Sequence, residues 1–141
     1  MRLGRSTQKP WVRAAVLLGL LYALVGIAFA VPDTHVRTWR LAAWAVSAMA
    51  FAGHIAYEHF GLRQSPRSAA IHVALAAALG AFGLAIGANI HSLSTASTDQ
   101  HRRLLLIALG IWPVITAVPA FLVGLGISAV LSRLPQRAHA E

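Results

Sequence analysis

The chain has 141 residues, 57% of them hydrophobic and only 11% charged, whereas soluble domains carry roughly 25% charge. A water-soluble fold of this size leaves about a third of its unfolded-chain surface wet, too much to hide such an apolar composition, and disordered chains are polar and charge-rich. The formal charge of +8 sits in short clusters between apolar runs, as membrane flanks do rather than nucleic-acid-binding faces, and the absence of cysteine removes disulfides, thiolate chemistry, iron–sulfur clusters and cysteine-bound zinc.

In chain order, Ala14 to Val31 is an unbroken apolar stretch of 18 positions, enough to cross a hydrocarbon core of about 30 Å at 1.5 Å per residue. Pro10 and Trp11 precede it, and Pro32 and Asp33 follow it. Ala28-Phe29-Ala30 resembles a signal-peptide cleavage site, but the apolar part is long for a signal and three more apolar segments follow. The segment is therefore expected as a retained span. Leu41 to Tyr57 gives 17 positions interrupted only by Ser47 and His54. Phe60 to Arg67, with Gly61 and Pro66, reads as a short turn. Val73 to Ile90 gives 18 positions with Asn89 as the one strongly polar residue. The polar run Ser92 to Gln100 (SLSTASTDQ) makes the next joint, with Ser97 or Thr98 as a helix cap. Leu104 to Leu131 gives 28 positions, about 42 Å if straight, with Pro113 and Pro119 expected to kink it.

These readings predict a single all-α membrane domain over residues 1–141. Its spans fall at about 12–31, 36–59, 69–91 and 102–131, and short connections force an antiparallel four-helix bundle. Arg2, Arg5, Lys9, Arg13, Arg63, Arg67, Arg133 and Arg137 lie on one side, and only Arg37, Arg40, Arg102 and Arg103 on the other. The positive-inside rule places both termini in the cytoplasm. Arg and Ala richness points to a bacterial inner membrane. Trp11, Trp39 and Trp112 stand near span ends or kinks, as interfacial aromatics do.

Helices in lipid associate through close packing of small residues. The third span carries Gly80, Gly83 and Gly87, the first offers Gly19 and Ala23 at four-residue spacing, and the second is rich in alanine. These faces are expected to let backbones approach; the other use of a flat glycine face is to admit a planar cofactor.

The histidines are the candidate chemistry. His54 is the most interior, and an ionisable residue within a span is a functional-site hypothesis by default. Ala43, Ser47, Ala50, His54 and Glu58 share one stripe of the second span, which should face protein. His54 and Glu58 form an i, i+4 pair, a possible ion or proton site. His72 and His91 border the glycine stripe of the third span. The short turn should bring His54 and His72 to similar depth, where two opposed imidazoles can act as axial ligands of a haem b. A metal site would draw on His54, Glu58, His59 and His72, but five positions separate His54 from His59, which turns them about 140° apart.

Histidines that open successive spans, in THVRTWR, AAIHVAL and QHRRLLLIALG, resemble the core of transmembrane ascorbate-reducible di-haem cytochromes b over about residues 33 to 126. The resemblance implies that His35 and His101 would ligate an outer haem and that His72 would supply one ligand of an inner haem. The family's second inner ligand lies on a further span that this chain lacks, and His54 stands in for it. The sequence contains no nucleophile elbow or phosphate loop. The leading expectation is a non-enzymatic membrane protein, an accessory subunit of an inner-membrane assembly or a self-associating one, with lipid and other membrane subunits or its own copies as partners and no nucleic acid. A haem b electron carrier and a small cation, proton or metal transporter are the alternatives.

Overall fold

The computed structural model describes residues 9–29, 35–94 and 98–133. Within them the chain forms four α-helices: α1 (Pro10–Ala28), α2 (Val36–Ala56), α3 (Pro66–Ser94) and α4 (Asp99–Arg133). A π-helical turn, Tyr57–Gly61, continues α2. No strand occurs among the described residues. Each helix starts and stops within a few residues of the predicted span; the expected joints at Pro32, Asp33 and Ser97, and the Ala30 motif position, lie outside the described residues.

The helix starts have local causes. Pro10 occupies the first turn of α1 and Pro66 that of α3, where the missing N–H would have no intrahelical partner anyway. Ser65 precedes α3, and its Oγ accepts the Ser68 N–H at 3.3 Å. Thr98 does the same for α4, its Oγ1 accepting the His101 N–H at 3.3 Å. Such caps satisfy one of the free donors of a first turn. α4 runs unbroken past Pro113 and Pro119, each of which removes one ladder donor. At 35 residues it is about 52 Å long.

α1, α3 and α4 are long and apolar enough to cross a membrane. The sequence predicts a fourth such span, and α2 falls short of the other three. Arg37, Arg40, Ser47 and His54 dilute its apolar run. Large apolar side chains are exposed along α1 and α4, among them Leu17, Leu24, Leu106, Val114 and Val130. So large an apolar exterior is foreign to a body surrounded by water and natural for one surrounded by lipid.

α3 is the central element. Half of its apolar window is buried, against 17% for α1 and α4. Most of the buried apolar side chains belong to it, including Ala69, Ala70, Val73, Ala76, Ala81 and Ala85. α1 lies against one of its sides. A Cβ added at Gly80 would fall 2.5 Å from Tyr22 Cβ, one at Gly83 would fall 2.9 Å from Ala23 Cβ, and one at Gly19 would fall 2.7 Å from Leu79 Cβ. Gly87 sits farther out, with Ile27 Cδ1 3.8 Å from its would-be Cβ. The glycine faces that the sequence presents are thus consumed within the chain, between α1 and α3.

α4 covers the other side, with Gly124 against Ala70 and Val73. At the opposite end, Asn89 Nδ2 donates both to Ala85 O at 2.8 Å and across to Leu105 O at 2.9 Å. The strongly polar residue of the third span is therefore a tie between helices.

α2 stands apart. Of its side chains only His54 and Ile55, in the last turn, are buried. Further along, a cavity of about 740 Å³ opens between α2 and the other helices, with Tyr22, Ser47, Ala81, Ala85, Ala108 and Trp112 in its walls.

Three substitutions test this packing. Gly80→Ala should lower stability in mild detergent by about 1–3 kcal/mol, because the intruding methyl meets the root of Tyr22, whereas Gly87→Ala should stay within about 0.5 kcal/mol. Asn89→Leu should cost about 0.6–2 kcal/mol. Reversible unfolding in detergent reads all three.

Candidate functional site

The last turn of α2 does not end in an ordinary cap. The Leu62 N–H reaches back to Tyr57 O and the Gln64 N–H to Glu58 O, both at 3.0 Å. This widens the backbone into a π-turn, a local form often found at functional sites. Arg63 then adopts φ 50°, a left-handed conformation uncommon outside glycine, and the chain enters α3 through Ser65 and Pro66. The result sets the carboxylate of Glu58 against the side of α3 that carries His72.

Three ionisable side chains meet there. Glu58 Oε2 lies 2.8 Å from His72 Nδ1, and Glu58 Oε1 lies 3.5 Å from His54 Nε2. Glu58 is fully buried and His54 is 1% exposed; the His72 side chain is 11% exposed. Trp11, from the first turn of α1, lies flat on the His72 ring, with centroids 4.2 Å apart and planes 1° from parallel. Four elements thus have a part: α2 carries His54, the π-turn Glu58, α3 His72, and α1 its cover.

A carboxylate removed from water is costly unless it is paired and hydrogen-bonded. With Glu58 ionised, His72 Nδ1–H donates to Oε2 and its imidazolium form balances the charge. His54 completes the cluster differently. At 3.5 Å its Nε2 makes no hydrogen bond, so both of its ring nitrogens and Glu58 Oε1 are buried without a partner. The cluster therefore combines one bonded and one unbonded imidazole nitrogen around a single carboxylate. Groups of these types at such distances can exchange a proton, and the partly exposed edge of His72 is the contact to the outside.

The other predicted residues fall elsewhere. Gly80, Gly83 and Gly87 face α1. His35 precedes α2 with a left-handed backbone (φ 56°) and is exposed; His101, in the first turn of α4, is exposed too. His59 packs edge-on against Phe60. Among the described residues, no group of three or more His, Cys, Asp or Glu is arranged to hold a metal ion.

Haem ligation can be tested on the same geometry. An axial pair needs two imidazoles directed at one iron from opposite faces of a porphyrin. Here Glu58 lies between His54 and His72, and no histidine lines the 740 Å³ cavity. His54 and His72 are therefore not placed as an axial pair. Sequence reasoning placed Trp11 at the interface and missed its contact with His72; the shared depth of the two residues at the basic end of their helices was the available signal.

Comparison with protein-family models, with curated proteins and with solved structures found no match to this chain.

Removing one member of a buried ion pair leaves the other uncompensated, a loss of about 3–5 kcal/mol. His72→Ala should therefore destabilise the protein by about that much. Glu58→Gln, which removes the charge while keeping the shape, should cost clearly less. The order of the two melting shifts in detergent checks the assignment of charge.

Proposed function

We propose that this chain is a non-enzymatic subunit of a bacterial inner membrane whose working part is a proton-binding cluster formed by His54, Glu58 and His72. One observation carries the reading: a fully buried carboxylate joined to one imidazole at 2.8 Å and facing a second, unpartnered one at 3.5 Å. A bundle that only needed packing would place apolar side chains there at no desolvation cost. An ionisable group kept within apolar helices marks a working site.

The proposed arrangement is an antiparallel four-helix bundle with both termini in the cytoplasm. Asn89 with Leu105, and Ala70 with Gly124, pair α3 and α4 in opposite directions, which supports it. With that orientation the cluster lies near the cytoplasmic face, beside the Arg63 and Arg67 turn. The walls of the cavity beyond it are mainly alanine, glycine and larger apolar side chains, which favours proton uptake and release from one side over passage across the membrane. The accessory role is the second element of the proposal. α2 keeps its long, alanine-rich flank, with Trp44 77% exposed, available to other membrane subunits or to a second copy.

Histidine side-chain ¹⁵N spectra in lipid bilayers test the proton site. The His72 Nδ1 signal should be that of a nitrogen hydrogen-bonded to a carboxylate and the His54 Nε2 signal that of an unbonded one, and Glu58→Gln should move both. A His72 Nδ1 without a hydrogen bond, or spectra that are the same in the Glu58→Gln protein, overturn the reading.

A further inference from the structure

Near the proton cluster, α4 buries a hydroxyl that nothing described so far employs. Ser128 is 0% exposed, and its Oγ makes no hydrogen bond. A hydroxyl inside a helix ordinarily turns back to a carbonyl three or four residues earlier. Ser132 does so toward Ala129 O at 2.8 Å, and Thr116 toward Trp112 O at 2.8 Å. Ser128 alone of these three on α4 leaves its own backbone unbonded, although it is the one shut off from water.

The neighbouring helix offers it nothing at that height. Gly124, one turn before Ser128, packs against Ala70 and Val73. Because α3 and α4 pair in opposite directions, Ser128 falls about 6 Å nearer the start of α3, level with Pro66 and Ala69, whose side chains are apolar. Glu58 reaches the same level from the end of α2. Its carbonyl accepts the Gln64 N–H at 3.0 Å, two residues before Pro66, and its Oε2 lies 2.8 Å from His72 Nδ1. The carboxylate thus stands between the heights of Gln64 and His72, and the Ser128 hydroxyl stands between them too.

This layer holds complementary groups that are each unsatisfied. Ser128 Oγ has a proton to donate, Glu58 Oε1 has lone pairs to receive one, and His54 Nε2 lies 3.5 Å from Oε1 without a bond. Leaving a buried donor or acceptor unmade costs about 1–3 kcal/mol, and more for a charged group. Buried polar groups in such positions are joined by internal water, which makes about three hydrogen bonds to otherwise unsatisfied atoms. Three such atoms are present here.

We infer that Ser128 is a fourth member of the cluster, a positioning residue whose hydroxyl holds one internal water against Glu58 Oε1 and His54 Nε2. The inference rests on the proton-cluster reading and adds what spans its 3.5 Å gap.

Magic-angle-spinning NMR of the labelled full-length protein in lipid bilayers tests it. One water between the two oxygens should place Glu58 Cδ within about 7 Å of Ser128 Cβ, two hydrogen bonds end to end. Magnetisation from water protons should reach the Glu58 carboxyl carbon in the wild type and be lost in Ser128→Ala. The same variant should shift the Glu58 carboxyl and His54 Nε2 signals while His72 Nδ1 stays bonded, which a serine that only fills space would not do. A longer distance, unchanged signals, or transfer from water that persists in Ser128→Ala overturns the role of Ser128, with the His72 bond intact. A His72 Nδ1 already unbonded in the wild type overturns the cluster itself, and this inference with it.

Discussion

Close approach along α3 is the constraint on which the rest of this structure depends. Its glycines admit α1 at one side, where Gly80 and Gly83 would each clash if they carried a Cβ, and its alanines admit α4 at the other. A helix has limited circumference, and two neighbours drawn this close use most of it. The consequence falls on α2, which shares little surface with α3 except at its C-terminal end. In water the hydrophobic effect would press α2 down along its whole length. In lipid no such force exists between helices, and contact must come from fitted surfaces or from polar ties. Among the described residues α2 has one polar tie, at its end.

That tie is ionic, and its cost explains its composition. A lone buried carboxylate would take up a proton rather than remain charged. The Glu58–His72 contact at 2.8 Å supplies both a hydrogen bond and a counter-charge, and the π-turn brings the two groups together. Trp11 covers the face of His72 and restricts water to its edge. His54 then sits one helical turn before Glu58 on the same face, close enough to share the proton and too far at 3.5 Å to be bonded in the state described. A purely structural staple needs only one histidine; in the proposed function the second is an alternative proton position.

Much of this arrangement was legible in the residues. Runs of apolar positions and the Pro, Ser and Thr residues at their borders located all four helices, because lipid demands long uninterrupted spans and helix starts demand caps. The stripe through Ser47, His54 and Glu58 and the shared depth of His54 and His72 were also readable, since both follow from helical period and a short turn. The placement of Glu58 between the histidines was not. It depends on a π-turn and on the left-handed Arg63, and neither is specified by hydropathy or by a turn residue such as glycine. The standing-off of α2 was equally hidden. Alanines at Ala43 and Ala48 read as contact surface, and nothing in one helix states how far its neighbour lies. Its diluted apolar run, with Arg37 and Arg40 in the first turns, was the one hint that α2 differs from the other three.

The gap beside α2 follows from the same difference between solvents. A cavity of about 740 Å³ lined by apolar groups would collapse or fill with partner side chains in a water-soluble protein, because each unmatched wall atom forfeits dispersion contacts. Within a bilayer the surroundings consist of apolar molecules that can enter from the side, so walls of alanine lose nothing by standing apart. The same small residues that draw α1 and α4 onto α3 leave α2 no fitted face along this length, so the packing that excludes α2 also makes the space beside it.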